Sequence, residues 1–527
     1  MTAQLHNIDP KVYARRWRTL GVLSLGLLII GLDNTILNVA LPSLQDQLEA
    51  EGSALQWIVD SYLLVFAGLV LTFGAFGDRF GRKLGLQAGT AIFGLASLCV
   101  LFVGSAGQLI GVRAVMGIGA ALIMPATLSI ISNVFPREER AKAIAVWSAT
   151  AALGIGLGPL AGGLLLEWFS WQAIFLVNVP VAALAFLLGL RYVPESRDPN
   201  PGSFDLAGAA LSIVALVTFV YGVIEAPGRG WLDPVTLCCF GAAALVAVAF
   251  VAWELRAREP MLDLSYFKEP RFGVASVAIS LAFFSLFGAA FATTLYLQFA
   301  HGYSALQAGA AMAPLALGLI VGAGSGAKLS ARLGTTKVVA AGLAGLGLLQ
   351  LATLAWTPDI AYWPLGLWFF GLALSIGWVM GPATDSVMGA VSDDKAGAAS
   401  AMNDVTRQVA GALGVAIVGS LVTSLYGSRV EDASAALPPE SAQAASDSVG
   451  GAVAVAEQIP GEAGASLAQA ATVAYTDALG LGLLAAAAAS FVGVALVLRF
   501  LPARHKPAEA SFPVHAAVVA VERRAAA

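Results

Sequence analysis

The chain of 527 residues is 58% hydrophobic and only 12% charged, with a mean hydropathy of +0.80. Soluble domains carry about 25% charged residues, so the composition excludes a soluble fold for most of the length. A net charge of −4 is too small to imply a nucleic-acid partner.

A helical span needs about 20 apolar residues. That rule places fourteen spans at about 18–41, 55–75, 84–104, 107–131, 141–166, 172–191, 205–225, 234–254, 272–297, 305–327, 335–355, 362–388, 398–425 and 474–501. The fifty-seven glycines suit helices that approach closely in lipid. Met1 to Leu20 lacks the short apolar core and cleavage site of a signal peptide, so span one is expected to target the chain to the membrane. Cys99, Cys238 and Cys239 lie in apolar runs without metal-ligand spacing and read as packing residues. No GxxxxGK[ST] loop suggests ATP binding.

Lys and Arg bias sets the expected orientation. With the N-terminus cytoplasmic, 25 basic residues fall on its side and two, Arg229 and Arg429, on the other; Arg113 and Arg407 fall inside spans. Both termini are thus expected inside. The expected division is an N-terminal tail 1–17, six spans over 18–191, a linker and two inserted spans over 192–256, six spans over 257–501, and a tail 502–527. A connector over 426–473, rich in Ala and acids and broken at Pro438-Pro439 and Pro460-Gly461, suggests two short helices on the outer side.

Span one carries GLDNTILNVALP from Gly31 to Pro42. Asp33, Asn34 and Asn38 fall on one helical arc about 140° wide. An ionisable group in a span by default faces a cavity or a partner, so Asp33 reads as a proton or cation site, against the alternative of a merely neutralised buried acid. In span two, Asp60 one or two turns from the outer surface is a candidate substrate contact or a solvated helix-end acid. After it comes Gly74-Ala-Phe-Gly-Asp-Arg-Phe-Gly-Arg-Lys83, where Asp78 is placed to cap the next helix and Arg79, Arg82 and Lys83 hold the turn inside. In span four, Arg113 precedes Gly117 by one turn; it either couples protons or snorkels. Span five repeats Gly154, Gly158 and Gly162 every four residues, with Pro159 and Gly163 beside them. In span thirteen, Asp404, Arg407 and Gln408 lie within about 100° of one another, as a cation site or a self-neutralising i, i+3 pair. Trp168, Trp171, Trp231, Trp356 and Trp363 read as interfacial anchors. Phe283, Phe284, Phe287, Phe291 and Tyr296 read as core or lipid-facing rather than cavity lining.

The Gly74–Lys83 stretch resembles the signature loop of the major facilitator superfamily, and Gly326–Gly334 is a weaker echo of it without the acid. LDNTILNVALP, Phe175-Leu-Val-Asn-Val-Pro180 and Phe204-Asp-Leu-Ala-Gly208 resemble the fourteen-span drug:proton antiporter branch, QacA/EmrB-like; Gly154–Gly163 resembles the antiporter motif of proton-driven exporters. The resemblance implies an all-α integral membrane protein of two six-helix bundles plus an inserted helix pair, with internal repetition. It implies a cytoplasmic latch of Gly74, Asp78, Arg79, Gly81, Arg82 and Lys83, and a pivot at Pro159 between the halves. It further implies proton coupling through Asp33, Arg113 and Asp404, and a substrate cavity including Asn34, Asn38, Asp60, Arg407 and Gln408. The expected function is proton-driven efflux of amphipathic, preferentially monocationic or neutral compounds. The expected setting is a monomer in a bacterial cytoplasmic membrane, with no cofactor, metal, ATP or catalysed reaction. An exporter of an endogenous lipid or secondary metabolite is the alternative; a membrane scaffold or a proton symporter fits the motifs less well.

Overall fold

The computed structural model describes residues 9–50, 52–197, 205–257, 260, 262, 264–391 and 396–502. Phe204, Arg258, Lys395, Arg504, Lys506, Arg523 and Arg524 lie outside the described residues. Fourteen helices are long and apolar enough to cross a membrane, and no strand occurs among the described residues. Spans one to seven are Pro10–Leu48, Gly52–Phe80, Arg82–Phe102, Ala106–Val134, Lys142–Trp168, Ala173–Tyr192 and Leu206–Arg229. Spans eight to fourteen are Pro234–Glu254, Pro270–Ala300, Ala305–Leu333, Thr335–Ala355, Tyr362–Met388, Ala401–Ser434 and Glu462–Phe500.

Local chemistry sets several starts. Asp9 caps span one ahead of Pro10, Ser105 caps span four, and Asp233 caps span eight ahead of Pro234; each side chain accepts an otherwise orphaned N–H. Pro314 begins the second piece of span ten, Pro314–Leu333, after Ala305–Ala311. Span nine ends in a π turn, Tyr296–Ala300.

The packing repeats. Span one packs on four, five and six; two packs on four; three packs on four and six. Span nine packs on twelve, thirteen and fourteen; ten packs on twelve; eleven packs on twelve and fourteen. The second set is the first shifted by eight spans. Two seams join the sets, span two against thirteen and span five against ten, with one touching nine between them. Span seven packs on eight, two and thirteen, so the inserted pair covers one seam only.

Fourteen crossings bring both ends of the described chain to one face, here called the basic face. The connector over 426–473 lies on the opposite face. Its two short helices are Pro439–Asp447 and Val449–Gln458, as its proline breaks suggested. It is shorter than its composition implied, because spans thirteen and fourteen run on as helix to Ser434 and from Glu462; alanine-rich sequence sustains helix beyond the apolar run. Tyr426 donates to the Ala445 carbonyl (2.9 Å), and Gln45 of span one donates to Ser448 (2.6 Å), drawing this hairpin over the mouth. On the same face Ser420 donates to Gln56 Oε1 (3.1 Å) and Gln298 to the Val39 carbonyl (2.9 Å). The protein is closed on the hairpin face.

Two expectations are corrected by burial. Trp171 and Trp356, at 2% and 8% exposure, are core residues packed on Phe175 and on Tyr296 and Trp368, not interfacial anchors. Cys99 and Cys238 are exposed free thiols rather than packing residues of the interior, whereas the half-buried Cys239 packs on Gly222 of span seven, as its apolar run suggested.

At the basic face Arg16 grips Glu139 through Nε (2.7 Å) and Nη2 (3.2 Å), and Tyr13 adds its hydroxyl (3.3 Å). The Arg16 hydrogen bond is the main cause holding the Glu139 carboxyl below its ordinary value. A depressed folded-state value means stabilisation present above the unfolded pKa and lost as pH falls through the folded one. Protection of the 137–141 amides against hydrogen exchange is therefore expected to fall on acidification below about pH 4. Glu139→Gln should show the lower protection already at neutral pH and no further step on acidification.

Candidate functional site

Arg113 is the most demanding residue in the molecule, because it is a cation at 1% exposure inside an apolar helix. Gly117, one turn on, solves its placement. A Cβ there would come within 2.7 Å of the Tyr62 carbonyl, so only glycine lets spans four and two approach this closely. Arg113 Nε then reaches the Ile58 carbonyl (3.1 Å), its guanidinium lies 4.3 Å from the Tyr62 ring centroid, and Nη1 pairs with Asp33 Oδ2. Asn178 Nδ2 donates to Asp33 Oδ1 at 3.5 Å. Asp33 is fully buried. Four spans, one, two, four and six, thus meet at one ion pair. Snorkelling is excluded for Arg113, and Asp33 has a partner rather than an open cavity.

The cavity lies elsewhere. A space between the two sets is lined by Thr35, Asn38, Phe283, Phe287, Met380 and other residues of spans one, five, nine, ten and twelve. Phe283 and Phe287 stack there at 6.0 Å between centroids, so these span-nine aromatics line a cavity after all. The arc on span one divides: Asn38 faces this space and Asp33 faces the interior of the first bundle. Of the expected cavity residues only Asn38 lines it. Asn34 buries Oδ1 without a partner among the described residues. Asp60 is fully buried with neither carboxylate oxygen partnered among the described residues, so it is no solvated helix-end acid. Arg407 pairs with Asp404 and lies 5.6 Å from the Phe283 centroid, behind the wall; Gln408 is buried beside them. The wall carries no charged side chain among its lining residues.

Span five shapes that wall. Gly154, Gly158 and Gly162 all face span one, where added Cβ atoms would meet the Gly31, Thr35 and Ile36 positions. The seam is therefore internal to the first bundle rather than the place where the halves close. Pro159 has no N–H for the carbonyl four residues back, and Thr35 Oγ1 donates to that Ile155 carbonyl instead (2.9 Å). The contacts across the halves come from Gly156, Pro159 and Gly163, which face Ala316, Gly309 and Ala305 of span ten.

The basic-face loop is similarly self-contained. Asp78 pairs with Arg82 Nε (2.7 Å) instead of capping span three, whose start at Gly81 lacks a side-chain cap. Gly81 adopts φ 129°, a conformation favouring glycine. Lys83 donates to the Leu190 carbonyl (2.9 Å), and the Arg82 N–H to that of Ser196 (3.0 Å). These bonds tie spans two, three and six of one bundle. Gly74 packs near Pro125 of span four.

A family model described as Major Facilitator Superfamily matches residues 23–415. The chain belongs to the major facilitator superfamily. Among its relatives is the "Multidrug efflux pump LfrA" of Mycolicibacterium smegmatis, 35% identical over 91% of this chain and 96% of that protein. Another is the "Tetracenomycin C resistance and export protein" of Streptomyces glaucescens, 33% identical over 97% and 96%. A third is the "Methyl viologen resistance protein SmvA" of Salmonella typhimurium, 35% identical over 88% and 93%. A solved structure, a bacterial homolog of the human lysosomal transporter Spinster in an inward-facing, occupied conformation, aligns with a TM-score of 0.63. It covers 94% of this chain and 99% of that one at 18% identity, a likeness of fold. This superfamily member is a multi-pass membrane transporter of the efflux-pump kind.

Sequence reasoning missed Asn178, Tyr62 and the Ile58 carbonyl. Asn178 left a signal, an amide in an otherwise apolar span; the carbonyl left none.

Breaking a buried pair strands a charge and costs about 3–5 kcal/mol. Asp33→Asn is therefore expected to lower the thermal unfolding temperature in detergent, because Arg113 stays charged and buried. Asp33→Asn with Arg113→Gln should recover most of that loss; absence of recovery would mean the two do not act as a pair. Separately, Gly309→Leu is expected to wedge span ten off the Pro159 carbonyl. A cysteine introduced at Leu306 should then react faster with a hydrophilic maleimide added at the hairpin face.

Proposed function

We propose that the chain is a proton-coupled multidrug efflux antiporter that exports amphipathic, preferentially monocationic or neutral compounds by alternating access. It works as a monomeric secondary transporter without ATP or cofactor, in a bacterial cytoplasmic membrane. The basic face is cytoplasmic, as Lys and Arg bias favours, and residues 18–191 and 257–501 are the two moving bundles. The observation that carries this reading is the buried Asp33–Arg113 pair on the same helix whose Asn38 lines the cavity. The names of the relatives support efflux.

In this reading a proton reaches Asp33 while the cavity faces outward. Neutral Asp33 no longer holds Arg113, so span one loosens from span four. Span one also packs along the glycine face of span five, which meets span ten at the seam, so the change reaches the contact between halves. Asp404, paired with Arg407 within span thirteen, serves proton coupling in the second bundle. Loss of the proton to the cytoplasm restores the ion pair. The membrane potential contributes about 2.3 kcal/mol per charge per 100 mV. The charge preference rests on the wall: without a charged lining residue, a second positive charge has no counter-ion there, and Asp60, unpartnered among the described residues, is an acid in reserve. An endogenous lipid or secondary metabolite as cargo also suits a wall this apolar.

The test is proteoliposomes with an imposed pH gradient and three probes: tetraphenylphosphonium, methyl viologen as a dication, and a phospholipid analogue. Gradient-driven transport of tetraphenylphosphonium, abolished by Asp33→Asn, is expected, with methyl viologen at least tenfold slower. Transport indifferent to the gradient removes proton coupling; equal rates for the two cations remove the charge preference; transport of the lipid analogue alone favours the second cargo.

A further inference from the structure

Just beyond span nine sits His301, the one histidine among the described residues. It lies on the hairpin face, where the π turn Tyr296–Ala300 meets the connector from span eleven to span twelve. Its ring is half-buried. It stands perpendicular to Tyr296 at 5.2 Å between centroids and tilts against Tyr303, also at 5.2 Å; Trp356 lies 5.3 Å from Tyr296.

The hydrogen bonds fix which nitrogen carries the proton. The Tyr296 hydroxyl has one proton and donates it to the Thr357 carbonyl (2.8 Å). Toward His301 Nε2, 3.4 Å away, the same oxygen can then only accept. The neutral ring therefore holds its proton on Nε2 and leaves Nδ1 as the basic atom. Burial among these rings pushes His301 below its ordinary value, and the exposed Asp359 opposes that more weakly. Tyr362 donates to the Ala311 carbonyl (3.3 Å) and Tyr475 of span fourteen to the Ala292 carbonyl (2.9 Å). The acids Asp46 of span one, Glu457 of the second hairpin helix, and Glu462 and Asp477 of span fourteen are all exposed.

The π turn joins three parts of the closed face. The His301 N–H donates to the Tyr296 carbonyl five residues back (3.1 Å), a winding that is rare and recurs at functional sites. Within that turn Gln298 donates to the Val39 carbonyl of span one, in the other half (2.9 Å). Phe299 meets the hairpin at Gly450, where an added Cβ would come within 2.7 Å of its ring.

We propose that His301 is a proton sensor of the outer solution: protonation at Nδ1 drives the ring from its aromatic slot, undoes the π turn and releases Gln298 from Val39, so that acid unlocks the hairpin face. A charged ring in the slot loses hydration that the exposed Asp359 does not replace. A histidine held below its ordinary value stabilises the closed face above that value, about pH 6.5, and the stabilisation is lost as pH falls below it. In an antiporter driven by outer protons, this opens the face that loads them. The inference rests on the export reading for which face is the outer one.

The sensor is read without transport. In protein with Cys99, Cys238 and Cys239 replaced by Ser, Gln47→Cys on span one and Trp363→Cys on span twelve, both exposed positions, take nitroxide labels. In lipid nanodiscs, double electron-electron resonance should show a longer distance whose population grows about threefold or more from about pH 8 to about pH 5. His301→Gln, or His301→Asn if the first variant is not monodisperse, should hold the short distance at both pH values. Asp33→Asn should keep the response, which separates the sensor from the buried ion pair. Asp359→Asn should move the midpoint to lower pH, because the charge that opposes burial is gone. Gln298→Ala should show the longer distance already at the higher pH. A wild type without the response, a response unchanged by the His301 variants, or one lost in Asp33→Asn overturns the sensor. A short distance in Gln298→Ala overturns the link to span one. An intact response without gradient-driven flux of tetraphenylphosphonium would instead overturn the export reading and leave the sensor standing.

Discussion

A guanidinium held at 1% exposure in an apolar helix persists only because its charge is met at close range. Asp33, the Ile58 carbonyl and the Tyr62 ring do this, and their positions fix how spans one, two and four stand to one another. Asn178 brings span six to the same point. The first bundle is thus organised around one compensated charge pair, and whatever alters that charge acts on four helices at once. The pair is enclosed, and span one links it to the cavity that Asn38 lines.

The glycines serve this arrangement in two directions. On span five, one face with Gly154, Gly158 and Gly162 lies along span one, and the other, with Gly156 and Gly163, meets span ten. Pro159 stands between the faces and leaves the Ile155 carbonyl for Thr35. Span five is thus locked to its own bundle on one side and in bare contact with the other half on its second side. The small residues there give close approach without interlocking side chains, so separation needs little repacking.

The inserted pair breaks the symmetry of the repeat. The two sets of six share one pattern of neighbours, but span seven occupies a single seam, tying Trp57 and Ser424, which belong to different halves, to one helix. The hairpin between spans thirteen and fourteen is the second asymmetric element, reaching Gln45 from the far half. Both additions thicken the hairpin face and the two–thirteen side, whereas the space lined by Asn38 and Phe283 lies against the five–ten seam.

The sequence by itself determined the number of spans, because apolar length is a direct measure of the bilayer. It determined the superfamily, because the Gly74–Lys83 and Gly154–Gly163 patterns are long and specific, and it marked Asp33 and Arg113, because charge stands out in an apolar run. What it could not decide was which way each polar residue points relative to other helices. Asp33 and Asn38 share an arc on paper and face different neighbours in space. The seam of Gly158 was legible as a close approach, but its partner, span one, was not. Asp78 was read as a cap and is an ion-pair partner, since choosing between two local hydrogen bonds depends on the turn at Gly81. Exposure of Cys238 and burial of Trp171 likewise follow from which helix lies alongside. Periodicity specifies a face; only tertiary packing specifies what the face meets, because helices in a bundle are related by contacts between residues far apart in the chain.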